Sequence, residues 1–148
     1  MTVNPELVGR EFPAVGPYLV GREKVREFAR AVFATNPIFT DLEAARSAGH
    51  ADVVAPPTFP VVIQEHTLAQ LLSEPDANID FSRVVHGDQR FSYSRTVVAG
   101  DELTATLAVT SVKTLGGHSM VTSESVMTDP TGAHVVTATS TLVVRGGE

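Results

Sequence analysis

The sequence predicts an α+β fold, with helices in the first half of the chain and strands in the second half. Between residues 22 and 73, apolar residues recur at the three- and four-residue spacing of amphipathic helices. From Phe81 onward, Val, Thr, Ser, Phe and Tyr dominate, and apolar residues alternate with polar ones as in strands. The chain has 148 residues, so we expect residues 1–148 to form a single domain around one core.

The first elements should be a short strand and a helix. Prolines make residues 1–20 irregular, apart from a strand predicted near 18–20. A helix is predicted over 22–34, because several apolar residues share one of its faces. These residues are Val25, Phe28, Ala29, Val32 and Phe33. Asn36 precedes a proline, which disfavours helical backbone at that position and ends the helix.

Two further helices are expected. Thr40 or Asp41 can cap a short helix, and Gly49 can end it. Pro57 suits the first turn of a longer helix over 58–73, where a missing N–H costs little. This helix is apolar around most of its girth, through Phe59, Val62, Ile63, Leu68, Ala69, Leu71 and Leu72. Its polar stripe is limited to Gln64, Glu65 and Gln70, so other elements should wrap around it.

The second half should consist of strands separated by turns. The predicted strands are 83–86, 89–98, 102–114, 118–128 and 134–144. Short turns rich in Gly, Asp and Pro join the last three, which should form an antiparallel meander with one buried face. A buried helix followed by a curved antiparallel sheet suggests the hot-dog arrangement, in which the sheet wraps the helix. The residue propensities alone leave another α+β sandwich open.

Charge and composition argue against several classes of function. The net charge of -6 and the lack of a basic stripe disfavour binding to nucleic acid or to an anionic membrane. The chain has no cysteine, which excludes disulfides and thiolate chemistry. The N-terminus lacks a signal pattern, and no apolar run approaches the ~20 residues of a membrane span. We therefore expect a soluble cytoplasmic protein.

The residues alone do not reveal an active site. The histidines lack the spacing of a zinc site, and no nucleophile elbow or phosphate-binding glycine loop is present. We expect neither a metal ion nor a cofactor. His66 lies on the long helix and is expected to be a core or interface residue. An enzyme with relocated catalytic groups would have to use His66, His86 or Glu65.

Three segments together carry a resemblance to a known family. They are Val20 to Phe28, then Asn36-Pro37-Ile38-Phe39-Thr40-Asp41 with Ala44-Ala45, Gly49 and Val54-Ala55-Pro56, and finally Val85-His86-Gly87-Asp88-Gln89-Arg90-Phe91-Ser92-Tyr93 with Val98-Ala99-Gly100-Asp101. In order and spacing they resemble the MaoC-like (R)-specific hydratases and dehydratases. Within that family they are most similar to the HadA-type subunit of the (3R)-hydroxyacyl-ACP dehydratase. The resemblance implies a hot-dog fold.

The resemblance also implies a mechanism that this chain cannot perform alone. In the family, an Asp and a His move the protons when water is added to, or removed from, the double bond of an enoyl thioester. A backbone N–H at the start of the central helix polarises the thioester carbonyl. Here Ala34 and Phe39 occupy the Asp and His positions, and Pro57, which has no N–H, occupies the donor position. The resemblance therefore implies no catalytic residue in this chain.

The implied role is a non-catalytic, acyl-chain-binding subunit of a 3-hydroxyacyl thioester dehydratase in fatty-acid metabolism. The thioester would be an acyl-CoA or an acyl-ACP, and a second hot-dog subunit would carry the intact Asp and His. The expected substrate-binding residues are Asn36, Phe39, Pro57, Phe59, Val62 and Ile63. The alternative is a homodimeric hot-dog protein that binds acyl thioesters without catalysis. Because a free strand edge favours pairing, we expect a homodimer or a heterodimer.

Overall fold

The computed structural model describes residues 2–147, and it confirms the α+β class. Within these residues one antiparallel sheet contains β1 (Val15–Leu19), β2 (Val84–Tyr93), β3 (Glu102–Leu115), β4 (His118–Thr128) and β5 (His134–Val144). The strands are ordered β1-β3-β4-β5-β2. The predicted meander is confirmed, because β4 pairs with β3 on one side and with β5 on the other. This order leaves β1 and β2 at the two edges of the sheet.

Along the described part of the chain, three α-helices follow β1 and precede β2: α1 (Arg22–Ala31), α2 (Leu42–Ser47) and α3 (Val61–Leu72). The short helix α2 is confirmed with its expected ends. Asp41 accepts a hydrogen bond of 2.9 Å from the N–H of Glu43 at its start. Gly49 follows its end with a left-handed φ of 95°. Among residues 2–147, no helix is long and apolar enough to cross a membrane.

The first helix ends at Ala31 and does not continue to Ala34 as predicted. Phe33 adopts a left-handed φ of 57° at the helix end, a position that usually holds glycine. The N–H of Ala34 then reaches back to the carbonyl oxygen of Ala29 at 2.8 Å, so the chain turns away from the helix axis. Val32 and Phe33 are consequently 43% and 87% exposed. The prediction that they lie on the apolar face was wrong.

The central helix α3 is buried on one face and is not wrapped on every side. It begins at Val61, because residues 57–60 form a turn and Pro60 precedes the first helical residue. Glu65 and His66 are exposed, so the placement of His66 in a core is not supported within this chain. Gln64 was assigned to the polar stripe but is fully buried, which is a second correction. The buried face comprises Ile63, Gln64, Thr67, Leu68 and Leu71.

The edge strand β2 replaces two predicted strands. Segments 83–86 and 89–98 were expected to be separate, but the structure has one continuous strand that ends at Tyr93. Its pairing with β5 shifts at Gly87, which is a β-bulge and not a break. A Cβ atom at Gly87 would lie 3.1 Å from the Val143 side chain, so glycine suits this close approach. Beyond Tyr93 the chain leaves the sheet as a loop.

Two polar contacts join the buried face of α3 to the sheet. The side-chain amides of Gln64 on α3 and Gln89 on β2 donate to each other, at 2.9 and 2.8 Å. The hydroxyl groups of Thr67 on α3 and Ser125 on β4 lie 2.7 Å apart. Because Gln64, Thr67 and Ser125 are buried, these bonds replace the ones that water would supply. Directional bonds of this kind fix the rotation of the helix on the sheet more closely than apolar contacts do.

The reciprocal amide pair predicts coupled losses of stability. Gln64→Leu or Gln89→Leu leaves the other amide without its partner, so each variant should lower the free energy of unfolding by about 1–3 kcal/mol. The double variant should lose less than the sum of the two single losses, because no amide is left unpaired. Urea unfolding of the four proteins measures these differences. Strictly additive losses would show that the two amides are not coupled.

Candidate functional site

A cleft of about 310 Å³ lies beside the turn that precedes α3. Three segments form its walls: the 3₁₀ helix Pro37–Phe39, the loop 50–57 and the segment 93–97 that follows β2. Its lining is mainly apolar, as expected of a pocket for an apolar ligand. The lining residues are Ile38, Phe39, His50, Val54, Ala55, Pro57, Tyr93, Thr96 and Val97.

Main-chain hydrogen bonds hold the three walls together. The N–H of Val54 donates to the carbonyl oxygen of Ile38, and the N–H of Ala55 donates to that of Val97, both at 2.9 Å. Asn36 starts the 3₁₀ helix, because its side-chain oxygen accepts from the N–H of Ile38 at 3.1 Å. The shape of the cleft therefore depends on the backbone of all three segments.

Tyr93 connects the end of β2 to the turn before α3. Its hydroxyl donates a hydrogen bond of 2.5 Å to the carbonyl oxygen of Pro57. Burial raises the pKa of Tyr93 to about 12, so the phenol stays protonated and continues to donate well above neutral pH. The edge strand and the cleft are thus joined by one side chain.

His50 supplies an imidazole to the lining of the same cleft. It follows Gly49 at the end of α2, and its N–H donates to the carbonyl oxygen of Ala45 at 3.0 Å. This is the hydrogen bond expected after a left-handed glycine at a helix end, and it fixes the backbone of His50. The residue is half-buried.

The resemblance relates three positions of this chain to the family's catalytic groups, and two of them lie at this cleft. Phe39 and Pro57 line it, whereas Ala34 is not among the lining residues. Pro57 has no N–H to offer a carbonyl group, and the N–H of Phe59 is bonded to the carbonyl oxygen of Pro56 at 2.8 Å. Neither Pro57 nor Phe59 therefore offers a free backbone N–H to a carbonyl group at this wall.

The other residues predicted to bind substrate lie outside the cleft lining. Phe59 and Ile63 are fully buried, and Val62 packs against the same apolar cluster. Asn36 is exposed and acts as the cap of the 3₁₀ helix. Contact of these four residues with an acyl chain remains a prediction.

The groups considered for a relocated active site do not line the cleft. Glu65 and His66 lie on the exposed side of α3, where the ring of His66 is 6.1 Å from that of Tyr18. The ring of His86 lies on the exposed edge strand, 3.1 Å from the carbonyl oxygen of Asp88. In the part of the chain from 2 to 147, no group of three or more His, Asp or Glu residues could hold a metal ion.

Sequence reasoning missed His50, Tyr93 and Thr96 as cleft residues. The position of His50 directly after Gly49 was the available signal, because the residue after such a glycine is held against the helix end. For Tyr93 and Thr96 the signal was hidden, since both were assigned to the interior of a strand over 89–98. The end of that strand at Tyr93 brings these side chains to the cleft.

Comparison with known proteins places these features in a family. The family model described as FAS1-like, dehydratase domain region, matches residues 6–138. A UPF0336 protein of Leifsonia xyli subsp. xyli is 72% identical over 146 residues, which are 99% of this chain and 98% of that protein. The resemblance to MaoC-like dehydratases inferred from the motifs is therefore confirmed.

Two solved structures share the fold. The HadBC (3R)-hydroxyacyl-ACP dehydratase complex of Mycobacterium tuberculosis contains a chain that is 33% identical, with a TM-score of 0.83 over 93% of this chain and 96% of that one. A MaoC-like dehydratase is 34% identical with a TM-score of 0.88, over 95% of this chain and 42% of that one. This chain thus spans about two fifths of the second protein. Both similarities confirm the hot-dog fold.

The hydrogen bond of Tyr93 predicts a specific loss of stability at alkaline pH. Because the pKa of Tyr93 is raised from about 10 to about 12, the unfolded chain loses this proton before the folded chain does. The contribution is complete below about pH 10 and is lost as the pH rises towards about 12. Tyr93→Phe should remove the part of the decline that arises from this phenol.

Urea unfolding of the wild-type protein and of Tyr93→Phe, each at about pH 9 and about pH 11, measures how far the free energy of unfolding falls. Burial also raises the pKa of Tyr18, but this residue is present in both proteins and adds the same part to each decline. At about pH 9 the variant should be less stable by about 0.5–1.5 kcal/mol, the net value of one hydrogen bond. An identical decline in both proteins would contradict the assignment.

Proposed function

The chain belongs to the FAS1-like dehydratase region family, and on that premise we propose that it is a non-catalytic, acyl-chain-binding subunit of an (R)-specific 3-hydroxyacyl thioester dehydratase. The observation that carries the proposal is the presence of Phe39 and Pro57 in one apolar cleft. These residues occupy positions where the family has a proton-transfer group and a backbone donor. The scaffold is thus retained, while its chemical groups are replaced by apolar surface.

The catalytic groups that this chain lacks would supply much of the rate enhancement of hydration. A positioned general acid or base typically contributes about 10²–10⁴-fold, and one oxyanion-hole donor contributes about 10²–10³-fold. Ala34 and Phe39 cannot transfer a proton, and Pro57 has no N–H. Hydration therefore requires a second hot-dog subunit that supplies the intact Asp and His.

We assign the edge strand β2 of this chain as the surface that binds the second subunit. Its backbone pairs with β5 on one side only, and its side chains are mostly exposed. Pairing with a strand of another chain would satisfy the free edge and continue the sheet. Because Tyr93 ends this strand and lines the cleft, the partner would lie next to the acyl-binding surface. A homodimer that binds acyl thioesters without catalysis would use the same edge.

The first functional prediction concerns activity. The purified chain should not hydrate a crotonyl thioester above the uncatalysed rate, whereas its complex with a hot-dog subunit that carries Asp and His should be active. Loss of crotonyl absorbance, followed for the chain, the partner and the complex, measures this. Rapid hydration by the chain alone would refute the proposal, and an inert homodimer that binds no partner would favour the alternative.

The second functional prediction concerns binding. Phe39→Ser should weaken the binding of octanoyl-CoA by about tenfold or more, because burial of a phenylalanine contributes roughly 1.5–3 kcal/mol. Phe33→Ser is the matched control, since Phe33 is 87% exposed and is not part of the cleft lining. Isothermal titration calorimetry gives both dissociation constants. Equal weakening of binding by the two variants would show that the cleft is not the site that binds the acyl chain.

A further inference from the structure

His50 differs from the other histidines in what its ring contacts. His86 lies near the carbonyl oxygen of Asp88, and His118 accepts a hydrogen bond from the N–H of Gly146 at 3.0 Å. The ring of His134 lies 2.5 Å from the hydroxyl of Ser94 and 2.7 Å from that of Thr137. These three rings are held by contacts within the fold.

His66 is also accounted for, because it is exposed and lies beside the ring of Tyr18. Within residues 2–147, no protein group hydrogen bonds to the ring of His50. His50 is nevertheless half-buried and is one of the residues that line the apolar cleft. The other aromatic polar group of the lining, the Tyr93 hydroxyl, already donates to Pro57. His50 is thus a polar group of the cleft that is free to bind a ligand.

We infer that the His50 imidazole is a specificity-determining residue that hydrogen bonds an oxygen atom carried on the acyl chain. This inference rests on the proposed acyl-binding role of the cleft. Ile38, Phe39 and Val97 provide apolar surface for the hydrocarbon. Among the described residues of the lining, His50 is the half-buried polar residue with an unbonded ring, whereas the polar residue Thr96 is exposed. A neutral imidazole has one N–H donor and one acceptor nitrogen, so it can serve a hydroxyl or a carbonyl group. The cleft therefore favours an oxygenated acyl group over the saturated chain of equal length.

Two ligands that differ by one hydroxyl group test the inference: octanoyl-CoA and 3-hydroxyoctanoyl-CoA. Calorimetric titration of the full chain should give about three- to tenfold tighter binding of the hydroxylated thioester, the value of one net hydrogen bond. His50→Leu should reduce this ratio to about one, and His50→Gln, which keeps a donor and an acceptor, should retain most of it. His66→Leu is the control and should retain the full ratio.

The outcomes separate this inference from the proposed function. If the wild-type chain binds both thioesters and His50→Leu keeps the wild-type ratio, the role of His50 is refuted while acyl binding stands. Failure of the wild-type chain to bind either thioester overturns the proposed function and this inference with it. Circular dichroism of each variant establishes that it is folded. The His50→Gln variant gives the ratio of the two binding constants with a polar side chain in place of His50.

Discussion

Burial of one face of α3 against the antiparallel sheet is the constraint on which the rest of the structure depends. The face contains two polar side chains, Gln64 and Thr67, which bond to Gln89 and Ser125 of the sheet. Because buried polar groups must find partners, only one rotation of the helix satisfies both. That rotation fixes the turn over residues 57–60 and hence the wall of the cleft. Apolar packing stabilises this arrangement, and the polar contacts select it.

The fold class and the meander were predictable, because alternation and turn residues are local signals. The end of α1 was not, since Phe33 takes a left-handed conformation that usually marks glycine. The buried position of Gln64 was also hidden, because its partner Gln89 is distant in the sequence. The bulge at Gly87 was hidden for the same reason, because it depends on the close approach of Val143 on β5. At Gln64 and Gly87, long-range contacts therefore overrode local propensity.

The candidate site was predictable only in part. Phe39 and Pro57 were found through the resemblance, because their positions in the motif are fixed relative to the central helix. Phe59 and Ile63 were assigned to substrate binding as well, yet within this chain they lie in the core. An apolar residue on a buried helix gives the same pattern for a core and for a tunnel, so sequence alone cannot separate the two. The position of His50 after Gly49 indicates only the end of α2, and its place in the cleft required the structure, because distant segments form the other walls.

The most direct measurement uses the isoleucines of the chain, which are Ile38, Ile63 and Ile79. Ile38 lines the cleft, Ile63 lies on the buried face of α3, and Ile79 lines a larger, polar depression of about 680 Å³ near the C-terminal end of that helix. Methyl NMR spectra of isoleucine-labelled protein, recorded during titration with an acyl thioester, report on all three locations at once. The account predicts that the Ile38 signal shifts while that of Ile79 does not. Shifts confined to Ile79, or no shift at Ile38 with saturating ligand, would contradict it.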